Sequence, residues 1–239
     1  MLSFDNVSVA YRGGAGVHGL DVTVAAGEVV ALVGLNGAGK TTLMRLALDM
    51  LRPDSGVVRL FGQPVAEVPR ARWRDVGHLI EVPLAYPELT VRENLRIACM
   101  LRGANPEYAA DSLARWHLES LADRRFRRLS LGNRQRVGLA TALQHHPRLI
   151  VLDEPGNSLD PAAVITLRDA LLGAAQDGAA VLVSSHHLDE VARIADRILL
   201  MNAGHLIGEL DPSGLDLERT FFDSVHRDDT ARAGSAETR

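Results

Sequence analysis

The sequence predicts an α/β fold with a parallel-sheet core, an antiparallel β patch and an inserted helical subdomain. Three observations carry that prediction. Short apolar runs at 28–33, 76–80, 149–152, 180–183 and 197–201 suit strands buried on both faces of a parallel sheet. Segments of helical period alternate with them, as parallel crossovers require. From about residue 84 to 146 strand signals stop while helix signals continue, so this stretch reads as an insertion between two halves of the sheet.

Taken in order, residues 2–9 alternate in polarity, and 20–24 and 56–61 read as short strands, together forming the antiparallel patch. A helix over 41–51 has Leu43, Met44, Leu46, Ala47 and Leu51 at helical spacing. Within the insertion, helices are expected at 90–101, 107–117 and 132–145, the first opening on the capping box Thr90-x-x-Glu93. Helices at 161–174 and 188–194 follow. The expected organisation is one domain over 1–223, with a core of 1–83 and 147–223 and a helical subdomain of about 84–146. From His226 onward the chain is polar without apolar periodicity, so 224–239 is expected to be a flexible tail.

Composition bounds the function. The 239 residues are 46% hydrophobic and 23% charged, close to the globular average, which excludes a disordered or fibrous chain. A chain of this length buries roughly 70–75% of its unfolded surface and needs no disulfide or metal to hold a core. No apolar stretch approaches the ~18 residues of a membrane span, and the start, MLSFDNVSVAYRGG, lacks the basic-then-apolar pattern of a secretory signal. The single cysteine, Cys99, predicts a buried thiol in a reducing cytoplasm. A net charge of −4 provides no global basic field, so no nucleic-acid partner is expected. The run Arg124–Arg128 reads as a solvated helix end or loop, or as a contact for phosphate or anionic lipid. His145 and His146 form no metal-ligand pattern.

Of 26 basic residues only Lys40 is lysine. A chain that uses arginine everywhere else keeps lysine where a slender point charge is needed. Lys40 sits in Gly34-Leu35-Asn36-Gly37-Ala38-Gly39-Lys40-Thr41-Thr42, which matches GxxxxGK[ST] between a buried strand and a helix. Such glycines let backbone N–H groups turn onto phosphate oxygens at a helix N-terminus. Lys40 would reach the β- and γ-phosphates and Thr41 would ligate Mg²⁺. The strand 149–152 ends in Asp153-Glu154, placing Asp153 to hold Mg²⁺ and Glu154 to polarise an attacking water.

A third motif, Leu129-Ser130-Leu131-Gly132-Asn133-Arg134-Gln135-Arg136, is similar to LSGGQ-x-Q-R, and with it residues 2–223 resemble the nucleotide-binding subunit of an ATP-binding cassette (ABC) transporter. That resemblance implies a P-loop NTPase with a RecA-like core, ATP and Mg²⁺ as ligands, and cytoplasmic ATP hydrolysis on the inner face of the membrane. It further implies two partners: a second nucleotide-binding subunit, as in a homodimer, and an integral membrane permease through which alone the chain meets the membrane. Asn36, Gly37, Gly39, Lys40, Thr41 and Thr42 would hold the phosphates. Ser130 and Gly132 would grip the γ-phosphate of ATP held by the opposite subunit. Tyr11 would stack on adenine, or is a surface tyrosine. Asp160, in Asn157-Ser158-Leu159-Asp160, would cross the dimer interface and also cap a helix that begins with Pro161. His186 matches the histidine that contacts the γ-phosphate, with His187 as its neighbour and rival. Glu81 stands where most of the family has Gln, and would contact Mg²⁺ and signal to the permease. Together with YPELTVRENL and the SLG-x-[KR]-QR form of the signature, Glu81 resembles the bacitracin-resistance and lantibiotic-immunity export branch. Leu131 and Asn133 depart from the usual Gly and Gln.

Overall fold

The computed structural model describes residues 1–11 and 15–236. Its strands are β1 (Leu2–Ala10), β2 (Gly16–Val24), β3 (Val29–Val33), β4 (Ser55–Leu60), β5 (Gln63–Pro64), β6 (Val76–Leu79), β7 (Leu149–Leu152), β8 (Ala180–Ser185), β9 (Arg197–Asn202) and β10 (His205–Leu210). Its helices are α1 (Lys40–Ala47), α2 (Val91–Arg102), α3 (Tyr108–Arg115), α4 (Leu131–Leu143), α5 (Pro161–Gln176), α6 (Leu188–Val191) and α7 (Leu217–Ala236).

Two sheets result. The central one has the order β10-β9-β3-β8-β7-β6, parallel throughout except for the hairpin between β9 and β10. The other is antiparallel, in the order β2-β1-β4-β5. Every residue of β3, β7 and β8 is buried, which explains why these strands read as unbroken apolar runs rather than alternations. Alternate residues of the central strands serve two cores. Val29, Ala31, Val33, Ile150 and Leu152 pack with α2–α5 and α7. Val30, Leu32, Val151 and Leu182 pack with α1 and the antiparallel sheet. Helices α2, α3 and α4 close around Trp116, Leu95 and Leu139, all buried.

Local chemistry sets the element ends. Thr90 caps α2 with both bonds of the capping box in place: Glu93 N–H donates to Thr90 Oγ1 at 3.2 Å and Thr90 N–H donates to Glu93 Oε2 at 2.7 Å. Those bonds hold the Glu93 carboxyl below its usual range. Asp160 caps α5, accepting from Ala163 N–H at 2.8 Å, with Pro161 at the first helical position.

The structure corrects the expected flexible tail. Residues 224–236 continue α7; Phe221 and Val225 are buried on it, and Asn202 Nδ2 donates to Asp228 Oδ2 (2.8 Å) and Asp229 Oδ1 (2.7 Å). Arg232 pairs with Asp228 at 2.9 Å and donates to the Asn202 carbonyl at 3.2 Å. The helix is therefore held by a short apolar contact followed by polar bonds to the end of β9, a combination with no extended apolar period. The last three residues of the expected tail, 237–239, lie outside the described residues. Strands β5 and β10 were absent from the sequence expectation.

Candidate active site

Strand order assembles the site. Parallel pairing aligns Val33 with Ser185, Leu152 with Val183 and Leu79 with Leu152. The residues that follow, Gly34, His186, Asp153-Glu154 and Glu81, therefore leave the same carboxyl edge of the sheet from four adjacent strands. In open α/β sheets ligands bind at that edge.

The loop after β3 turns on Gly39, at φ +105°, a backbone conformation that side chains rarely adopt, and feeds directly into α1. Its amides and the helix N-terminus form the floor of an open pocket of about 280 Å³, lined by Asn36, Gly37, Gly39, Lys40, Thr41, Thr42, Asp153 and Glu154, with Tyr11 at the rim. Tyr11 is 40% exposed there.

A continuous chain of bonds joins the polar side chains. Lys40 Nζ donates to the Gly34 carbonyl at 2.6 Å and lies 3.3 Å from Glu154 Oε1. Glu154 Oε2 accepts from His186 Nδ1 at 2.7 Å and from the His186 backbone N–H at 3.3 Å. An ionised carboxylate only accepts, so Nδ1 carries the proton in this pair. The ring of His186, rather than that of His187, makes this contact; the two rings lie 3.9 Å apart. Thr41 Oγ1 donates to Asp153 Oδ2 at 2.7 Å, and Ser184 Oγ donates to Asp153 Oδ1 at 2.6 Å while accepting from Glu154 N–H at 2.8 Å. The Thr41 hydroxyl and the Asp153 carboxylate meet at the mouth of the phosphate loop. Hard-oxygen donors of this kind fit Mg²⁺ when phosphate oxygens and water complete its shell.

Other expected site residues stand apart from the pocket. Glu81 pairs with Arg45 of α1. Ser130 caps α4, accepting from Asn133 N–H at 3.4 Å. Gly132 packs so closely against the loop after Glu154 that an added Cβ would lie 2.5 Å from the Ser158 carbonyl oxygen. Asp160, the cap of α5, pairs with Arg136 of α4. Sequence reasoning did not anticipate the organising role of Ser184, the Arg45 partner of Glu81, or Gln135, whose Nε2 donates to the Pro155 carbonyl at 3.1 Å and ties α4 to the loop after the acidic pair. The position of Ser184, at the end of a buried strand two residues before His186, was the available signal.

A glycine loop carrying lysine into a helix, set beside a strand that ends in Asp-Glu, defines a phosphate-loop nucleotide hydrolase. The chain belongs to the ABC transporter family, whose model matches residues 17–157. It is the ATP-binding ATPase subunit of that family. The bacitracin transport ATP-binding protein BcrA of Enterococcus faecalis is 37% identical over 217 residues, covering 90% of this chain and 70% of that protein. The lantibiotic transport ATP-binding protein SrtF of Streptococcus pyogenes is 31% identical, covering 94% of this chain and 97% of that protein. Among solved structures, the ATP-binding subunit of an ABC transporter superposes with a TM-score of 0.82 at 30% identity, covering 94% of each chain.

Proposed function

We propose that this chain hydrolyses MgATP between two copies of itself on the cytoplasmic face of the membrane. We further propose that it drives export of a peptide antibiotic through a separate permease. The observation that carries the hydrolytic part is the bonded chain Lys40–Glu154–His186 beside Thr41–Asp153. Lys40 places its charge on the transferring phosphoryl group, and the loop amides orient it. Glu154, held by His186 on one oxygen and by Lys40 near the other, polarises the attacking water and takes its proton. Mg²⁺, bound by Thr41 and Asp153, would neutralise charge developing on the phosphate oxygens.

The cargo is proposed from the relatives whose names specify bacitracin and lantibiotic transport, and from Glu81 and the SLG-x-R-QR signature. The permease contact is proposed at the groove beside residues 80–86, about 590 Å³ in volume, which shares Glu81 and Arg45 with the sheet edge. No helix among the described residues is long and apolar enough to cross a membrane, so a separate membrane subunit would form the path. The test is resistance. Co-expression with its permease in a sensitive host should raise tolerance to bacitracin or to a lantibiotic, and the Glu154→Gln chain should not. Equal sensitivity with and without the wild-type pair, to both compounds, would reject the cargo.

A further inference from the structure

We propose that Arg102 is the residue by which this chain selects its permease, through a pair between its guanidinium and a carboxylate on the permease segment that docks in the groove beside residues 80–86. The proposal rests on the reading of this chain as a transporter subunit.

The groove runs between the 80–86 loop, α2 and α4. Its wall is apolar and open: Val82 is 64%, Leu84 73% and Leu101 75% exposed. Large apolar side chains clustered in this way mark a contact surface, and a groove between helices accepts a short amphipathic helix through spaced apolar anchors. Gly138 of α4 lets the loop lie close, since a Cβ there would come within 2.7 Å of Pro83 Cβ. The groove is therefore built by packing and does not depend on an occupant to form it.

Charge narrows the choice of occupant. Arg45, Glu81 and Arg102 are the charged residues lining the groove. Arg45 and Glu81 satisfy one another. Arg102 Nε is buried without a hydrogen bond, and among the described residues no carboxylate forms a salt bridge with Arg102. The other polar side chains of the wall, among them His78 and Tyr86, bring no carboxylate; burial and then the charge of Arg102 lower the pKa of His78 to about 4. The last carbonyls of α2 offset part of the Arg102 charge through the helix dipole. Burial nonetheless holds this guanidinium below its ordinary pKa. The groove thus presents an apolar wall around one uncompensated cation with a planar donor fork. Its complement is an apolar helical segment bearing one Asp or Glu, positioned for a charge-assisted pair.

The test uses the full chain and the permease with which it works, reconstituted in nanodiscs. Arg102→Met keeps bulk without charge, Arg102→Lys keeps charge, and Arg102→Glu reverses it. ATPase activity of the free chain should be the same in all three, which reports that each has folded. Affinity for the permease should fall about tenfold to a hundredfold for Arg102→Met and further for Arg102→Glu, and stay within about threefold for Arg102→Lys. Reversal to Arg of one cytoplasmic Asp or Glu of the permease should restore binding of Arg102→Glu. Wild-type affinity in Arg102→Met, or failure of every such reversal to restore binding, would overturn the pairing. If the wild-type chain does not bind the permease at all, the transporter reading itself fails, and that outcome is visible before any variant is measured.

Discussion

Glu154 stands in the left-handed backbone region at φ +47°, which costs a side-chain-bearing residue roughly 1–2 kcal/mol. Three contacts offset that strain: Ser184 on its amide, Lys40 and His186 on its carboxylate. Glu154→Gln preserves shape and an acceptor but removes the base. ATP binding should persist while turnover drops roughly 10²–10⁴-fold; steady-state ATPase measured beside nucleotide affinity checks it, and near-normal turnover would remove Glu154 from the base role. Lys40→Ala should instead weaken both binding and turnover. A different residue-scale effect concerns two partly buried imidazoles. His78 has its pKa lowered to about 4 and His145 to about 3, in each case by burial first and by Arg102 second. Both folded values lie below the unfolded value near 6.5, so between these limits the unfolded chain binds more protons. Stability is then full above about pH 6.5 and lost as pH falls toward 4 and then 3, by about 1.4 kcal/mol per pH unit for each imidazole across the window. Urea midpoints at pH 7.5 and 5 should show the loss, and the slope should flatten in a His78→Asn/His145→Asn chain. An unchanged slope would mean that other groups carry the pH dependence.

Elements carry the clearest difference between pattern and packing. Helix α7 buries Phe221 at 5% and Val225 at 6% exposure. Val225→Ala, within the residues 224–239 expected as a tail, should therefore cost about 2 kcal/mol, seen as a lower denaturation midpoint, where a frayed tail would register no change. The elements that sequence reasoning located share a strong local signal. Strands β3, β7 and β8 are buried on both faces and so read as apolar runs, and the Thr90–Glu93 box marks the start of α2 with both bonds formed. What it missed depends on partners remote in sequence. Strand β10 has only Leu210 buried, and it is a strand because β9 pairs with it. Helix α7 is fixed by Asn202 and the end of β9. In the site, the phosphate loop and the acidic pair were legible because their chemistry lies in adjacent residues. The pairs Arg45–Glu81, Arg136–Asp160 and Gln135–Pro155 were not, since each joins elements that only the folded sheet brings together.

On the reading proposed above, in which two copies share MgATP, one chain would offer two half-sites. Its phosphate pocket is lined by the loop after β3 and by the acidic pair, whereas Ser130 and the start of α4 lie against the 154–160 loop and leave that pocket uncapped. The first N–H groups of a helix lack intrahelical partners and suit an anion, yet Ser130 is not among the residues that line the Lys40 pocket. The two-fold pairing of copies proposed above would account for both, because an isologous interface would bring each helix start to the other chain's pocket. The consequence is measurable by complementation. Lys40→Ala removes the phosphate cation, and Ser130→Arg blocks the helix start. Each homodimer then has two damaged sites and should be inactive. In a mixed dimer one site combines the altered loop with the altered helix start, and the other combines the intact loop of one chain with the intact helix start of its partner. Equal mixing gives half of the dimers this composition, so ATPase should recover to about a quarter of wild type if the sites act independently. Cross-linking between the two differently tagged chains reports how many mixed dimers are present. An inactive mixture with mixed dimers demonstrably formed would show either that Ser130 does not act on its partner's nucleotide or that turnover needs both sites intact. A dimer of Lys40→Ala with wild type separates these, since it keeps one intact site and is inactive only if both are required.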